Sequence, residues 1–281
     1  MGSSEEISEQ RRLLAQAALY YEMAFTQGAA FLAMAREQLA QAEAMARQAG
    51  DDDTLAAVLG LWAAVLRAGA GRDDIARAVD YLRQQVGLLE AQGRGQEAAE
   101  AMSNLPALYR DLATVDPEHA LAYLHEGLRA GEEALGRAAE LDARGAMAAT
   151  SAHLGDLCLI LADADAERED EYLQVAAGLY GKADQTFGDR DRDGQVLARL
   201  GLAETYIRMG KNLEGARDFL HEALDFYSRH EGGEVTYQVA FVYSLLARLE
   251  DTMGDHAAAR EHREQAITLW RNLGFSPEVR T

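Results

Sequence analysis

The chain has 281 residues, 48% of them apolar, and carries 27 basic against 47 acidic side chains, a formal charge of −20. That length and apolar content suffice for one large core or an elongated array, whereas so acidic a surface repels phosphate backbones and argues against nucleic acid as a partner. Three prolines and sparse aromatics amid abundant alanine favour helix over sheet, and a lone Cys158 excludes an intramolecular disulfide or a cysteine-based zinc site and fits a reducing cytoplasm.

The chain opens on the acidic stretch Met1–Glu6, which lacks the apolar core of a secretory signal. Helices are predicted over about 5–27 and 29–49, divided near Gly28. Asp51-Asp52-Asp53 supplies a cap for a helix over about 53–69. Gly69-Ala70-Gly71 turns the chain into a helix over about 73–92, and Gly93-Arg94-Gly95 into one over about 96–114. Pro106 lies inside that last pattern and removes an amide donor, so a kink is expected there. Asp116-Pro117-Glu118 reads as an N-cap with proline at the first position of a helix ending near 137. A helix over about 139–162 follows. Then come six carboxylates and one arginine within 163–171, read as a solvated acidic loop or helix end, with a docking point for a basic partner as the functional alternative. Further helices are predicted over about 170–187, 194–209, 213–229, 234–253 and 256–273. No run approaches eighteen uncharged apolar residues, so no membrane span is expected.

A small–bulky–small triplet with spacings of four and three recurs along these helices. It appears as Ala35-Leu39-Ala42, Ala120-Leu124-Gly127, Ala176-Tyr180-Ala183 and Ala216-Leu220-Ala223, with weaker copies at Ala78-Leu82-Gln85 and Ala259-Arg263-Ala266. The first positions advance by 43, 42, 56, 40 and 43 residues. Such spacing sets all three side chains on one helical face, where small residues admit a neighbouring helix and the bulky one fills the gap between axes. Upstream helices carry the large–small pairs Leu59-Gly60, Leu154-Gly155, Leu202-Ala203 and Leu246-Ala247. This order resembles the tetratricopeptide repeat, most closely in Leu202-Ala203-Tyr206-Gly210 leading to Ala216-Leu220-Ala223, and in Leu246-Ala247-Gly254-Asp255 leading to Ala259 and Ala266. The interval of about 42 residues exceeds the usual 34, so each helix gains roughly a turn. Glu250 stands where the family places a first-helix aromatic, and Arg263 where it places a bulky apolar residue. The resemblance implies an all-α, right-handed superhelical solenoid of about six hairpins and twelve helices. It forms a single domain over 1–281, with repeats near 5–50, 51–93, 94–138, 139–188, 189–232 and 233–275.

Other chemistry is thinner. Asp189, Asp191, Asp193 and Gly194 match the start of a calcium loop, but Leu200 stands where a bidentate glutamate is needed, and Asp193 reads instead as a helix cap. Seven histidines are scattered without a helical metal spacing. No nucleophile elbow or phosphate loop appears, so neither cofactor nor metal nor catalysis is expected.

Carried over from the repeat pattern, the residues facing the concave groove are Asp156, Glu204 and Arg248, joined by Tyr109, Asn104 and Tyr20. Asparagine would bond a peptide backbone, tyrosine would stack, and the carboxylates would select a basic side chain. The chain therefore reads as a cytoplasmic scaffold for a protein or peptide, with a preference for basic partners. The alternative is a peptide-sensing regulator acting on a separate effector chain. Trp270 and Phe275 either cover the last hairpin or form a homodimer contact through the terminal helix.

Overall fold

Helix follows helix because the small–bulky–small faces have nowhere to go but against the next helix. In a computed structural model, residues 4–230 and 237–274 are described, apart from the side chains of residues 4–8, Phe25, Thr26, Asp189 and His230. Among the described residues there are α-helices and short 3₁₀ turns and no strand. The helices are α1 (Ser4–Gln27), α2 (Ala30–Ala49), α3 (Asp52–Ala68), α4 (Arg72–Ala91), α5 (Gly95–Met102), α6 (Leu105–Val115) and α7 (Ala120–Glu140). They continue as α8 (Arg144–Ala164), α9 (Glu169–Phe187), α10 (Arg192–Met209), α11 (Leu213–His230), α12 (Tyr237–Met253) and α13 (His256–Asn272). Where the sequence predicts one uninterrupted domain, the helices group into two units, Met1–His153 and Leu154–Thr281, with the division inside α8.

In the first unit α1 pairs with α2, α3 with α4, and α5–α6 with α7, each hairpin packing on the next. Its core runs from Leu13 through Leu39, Trp62, Leu66 and Leu82 to Leu112, with Trp62 stacked on Tyr81 at 5.6 Å. In the second unit α9 packs on α10, α10 on α11 and α12 on α13, around Leu200, Leu220, Leu245 and Leu246. The triplets form the buried faces: Ala35, Leu39 and Ala42 are fully buried, as are Ala176 and Ala183 beside Tyr180, and Ala216 and Leu220 beside Ala223.

Local corrections follow from side-chain chemistry. The helix expected over 96–114 is two, because the chain breaks at Ser103-Asn104, where Ser103 Oγ and Asn104 Nδ2 both donate to the Glu100 carbonyl. Pro106 then falls in the first turn of α6, where its missing amide would have had no partner. Asp116 makes no backbone cap; its carboxylate accepts from Tyr123 Oη at 3.1 Å, faces His119 Nδ1 at 3.0 Å, and pairs with Arg72 at 2.7 Å. The residues after it form one 3₁₀ turn before α7. Asp191, rather than Asp193, caps α10, accepting from Gly194 N at 2.9 Å; Asp189 has its side chain outside the described residues. The segment 163–171 is mostly helical, with Glu169, Asp170 and Glu171 in the first turn of α9, where the helix dipole favours them.

One helix, Arg144–Ala164, is long and apolar enough to cross a membrane by length and composition, with a mean hydropathy of 1.3. Of its apolar window 61% is buried, as in the core helix of a packed protein. Trp270 is fully buried, donating from Nε1 to Ser244 Oγ at 3.1 Å, and so covers the last hairpin from within; Phe275 lies outside the described residues.

Candidate binding groove

The first helices of consecutive hairpins in the first unit turn matching stripes toward each other. On α3, Asp53, Ala56, Ala57, Gly60, Ala63, Ala64 and Arg67 recur at helical spacing, so they share one face. Glu97, Glu100, Ala101, Asn104 and Leu108 do the same along α5 and α6. Between the stripes lies a recess of about 610 Å³, floored by Leu82, Gln85 and Leu89 of α4 and closed at one end by Tyr21 of α1. Small side chains on α3 leave the space open. From Asp53 to Arg67 the trough spans about 21 Å of helix, room for about six extended residues.

The floor has one unusual contact. Gly60 has no Cβ, and the Gln85 carboxamide occupies the position beside it: a Cβ at residue 60 would lie 2.5 Å from Gln85 Nε2. Gln85 is thereby seated at the floor of the groove, and it makes no hydrogen bond among the described residues. Asn104 donates from Nδ2 to the Glu100 carbonyl at 3.2 Å, which leaves its side-chain oxygen available.

The charges sort into satisfied pairs and one remainder. Arg67 Nε donates to Asp111 at 2.6 Å. Arg94 donates from Nε to Glu97 at 2.7 Å and from Nη1 to Asp53 at 3.2 Å, and the Arg94 guanidinium holds the Glu97 carboxyl below the usual carboxylate range. Glu100 is exposed and makes no ion pair among the described residues. Burial pushes the Tyr21 hydroxyl above its ordinary pKa of 10.0 while Arg67 draws it down, so the phenol is neutral at pH 7.

Of the six residues singled out by sequence, Asn104 lines this recess. Tyr20 is half-buried and stacks on Phe31 at 6.2 Å; its neighbour Tyr21 is the one that reaches the groove. Tyr109 is 7% exposed, and its hydroxyl accepts from Arg83 Nη2 at 2.7 Å, so it sits beneath the surface. The other three stand on the second unit. Asp156 is half-buried and accepts from Tyr180 Oη at 2.7 Å. Glu204 faces Arg248 Nη1 at 3.4 Å. Gly60, Gln85 and Glu100 escaped the sequence reading. Gln85 is visible in the sequence only as the misfit in an otherwise small position, and Gly60 only as the small member of the Leu59-Gly60 pair. Among the described residues no group of three or more His, Cys, Asp or Glu side chains is arranged to hold a metal ion.

Residues 195–272 match the family model for the tetratricopeptide repeat, covering α10 to α13 apart from the first residues of α10. A search of curated proteins returns no match. By fold the chain is similar to a Signal Transduction ATPase with Numerous Domains (STAND) protein with a tetratricopeptide repeat sensor from Pyrococcus horikoshii, at a TM-score of 0.68 and 15% identity. That similarity covers 93% of this chain but only 36% of the other, so the chain spans little more than a third of that protein. BtubC from P. vanneervenii is similar at a TM-score of 0.55 and 15% identity, with 94% of this chain and 92% of that one covered. Both likenesses concern the fold.

Proposed function

We propose that this chain, a tetratricopeptide-like helical repeat protein, is a non-catalytic binding module that takes up an extended segment of a protein or peptide, with a preference for basic segments. The observation that carries the reading is the open trough of the first unit, whose cations are already engaged by carboxylates while Glu100 stands without one. In the second unit Asp156 and Glu204 add negative charge on the half-buried faces of α8 and α10, where an incoming cation competes with Tyr180 and Arg248. The net charge of −20 draws basic partners toward either unit. A single buried Cys158 is in keeping with a cytoplasmic protein.

The test is a titration of the full chain with two fluorescein-labelled pools of random six-residue peptides, one enriched in lysine and arginine, the other in glutamate and aspartate. The basic pool should bind more tightly, and its advantage should shrink as salt is raised. Equal binding of the two pools removes the charge preference.

A second reading is favoured by the likeness to a protein with a tetratricopeptide repeat sensor: the chain senses a peptide and acts on a separate effector chain. Mass spectrometry of material released by denaturing the purified chain separates the two. A discrete small peptide supports the sensor; its absence, with binding of protein segments intact, supports the scaffold.

A further inference from the structure

We infer that the trough of the first unit is selective, and that Gly60, Gln85 and Glu100 set its choice: a segment with small side chains turned to the floor and one lysine or arginine turned to Glu100. This rests on the groove reading above and adds to it a sequence preference and the residues that impose it.

Three features fix the preference. The α3 wall is built from alanines and Gly60, and the space that glycine leaves beside the floor is already filled by the Gln85 carboxamide. A bulky side chain pointing down would have to displace Gln85, so alanine, glycine or serine fits there. A carboxamide offers both a donor and an acceptor, as a peptide unit does. Gln85 at the floor and the Asn104 oxygen at the wall therefore read the backbone of an extended segment without regard to its side chains. Glu100 lies one turn before Asn104 on the same face, exposed and without an ion pair among the described residues. A cationic side chain projecting from the bound backbone gives it a charge-assisted hydrogen bond. Arg67 and Arg94 do not compete for an acidic ligand, because Asp111 holds the first and Glu97 with Asp53 the second.

The probe is a positional-scanning library of fluorescein-labelled six-residue peptides, screened by anisotropy against the full chain and three variants whose helicity is checked by circular dichroism. The unaltered chain should enrich alanine, glycine or serine at alternate positions and lysine or arginine at one position. Glu100→Lys should invert that one position to glutamate or aspartate and leave the others alone. Gln85→Ala should weaken all peptides about five- to tenfold while widening the floor preference to valine and leucine. Asp218→Lys, on α11 in the second unit, is the charge control and should change no position. If peptides bind but Glu100→Lys and Gln85→Ala leave the enrichment unchanged, the selectivity assigned here is wrong while the binding function stands. If no peptide binds the folded chain, the groove reading fails and this inference with it.

Discussion

Tyr180 donates its hydroxyl to Asp156 at 2.7 Å, and its ring is wedged between two glycines, Gly155 of α8 and Gly201 of α10. One aromatic side chain on α9 thus joins three helices of the second unit and fixes a carboxylate at their surface. A Cβ at Gly155 would lie 2.8 Å from the ring, and one at Gly201 would press still harder. Gly201→Ala should therefore cost about 1–3 kcal/mol through overpacking. Tyr180→Phe should cost about 1–2 kcal/mol for the lost hydrogen bond. Gly178→Ala, on α9 with open space where the methyl would go, should instead stabilise by about 0.5–1 kcal/mol. Urea unfolding of the three variants checks the ordering; Gly201→Ala as stable as the parent would mean that the ring has room to retreat.

The repeat was legible because its small–bulky–small triplets needed no knowledge of register: Ala216, Leu220 and Ala223 are buried together just as their spacing demands. Turns announced by Gly210 or Asp255 were equally plain, since a left-handed residue at φ 63° and a capping carboxylate each leave a local mark. The site was harder. Alanine-rich helices present small residues on every face, so the sequence alone did not say that Tyr21, rather than Tyr20, points into the trough. Nor could one residue reveal its opposite number. Gln85 looks like a degraded triplet until Gly60 is seen beneath it, and Glu250 looks like a lost aromatic until Arg217 Nη2 is found 3.1 Å from its buried carboxylate. Arg263, the other misfit, pairs with Asp251 on α12.

The acidic stretch between α8 and α9 is held from below by Arg208. Its side chain is 9% exposed, and its guanidinium donates to the Leu159 carbonyl at 3.1 Å and pairs with Asp163 at 2.7 Å and Glu169 at 3.4 Å. Those carboxylates are themselves well exposed, so each pair alone contributes little; the buried fork that closes the end of α8 is what matters. Arg208→Met should cost about 2 kcal/mol and speed amide hydrogen exchange in 163–171. Asp163→Asn should cost under about 1 kcal/mol. Exchange in that stretch unaffected by Arg208→Met would show that the segment holds its own shape.

Acid should loosen the turn between α6 and α7. Hydrogen bonds from His119 and Tyr123, with Arg72 close by, hold the Asp116 carboxyl below its ordinary value of 3.8. A depressed carboxylate contributes stability that is fully present above the unfolded value and disappears as pH falls through the folded one. Asp116→Asn should therefore melt below the parent at pH 6, and the gap should close as pH falls below the ordinary carboxylate value of 3.8. A gap that stays constant down to pH 2 would assign the loss to packing rather than to charge.

Arg248 offers the sharpest test of the second unit, because it is the cation that faces Glu204, at 3.4 Å, with 42% of its side chain exposed against 22% for the carboxylate. An exposed pair of this kind contributes little to folding, about 0–1 kcal/mol, so Arg248→Ala should leave the unfolding midpoint nearly unmoved. Its effect on binding should be larger and favourable. With its cation removed, the Glu204 carboxylate on the face of α10 is no longer offset by Arg248, and a basic segment no longer has to displace a neighbour to reach it. Arg248→Ala should thus tighten binding of a lysine-containing peptide about two- to fivefold at low salt, a gain that fades at high salt as the charges are screened. The double variant with Glu204→Gln should lose that gain. Tightening that survives Glu204→Gln would trace to the shorter side chain opening space, and no tightening at all would take Glu204 out of the binding surface and leave the trough of the first unit to carry it.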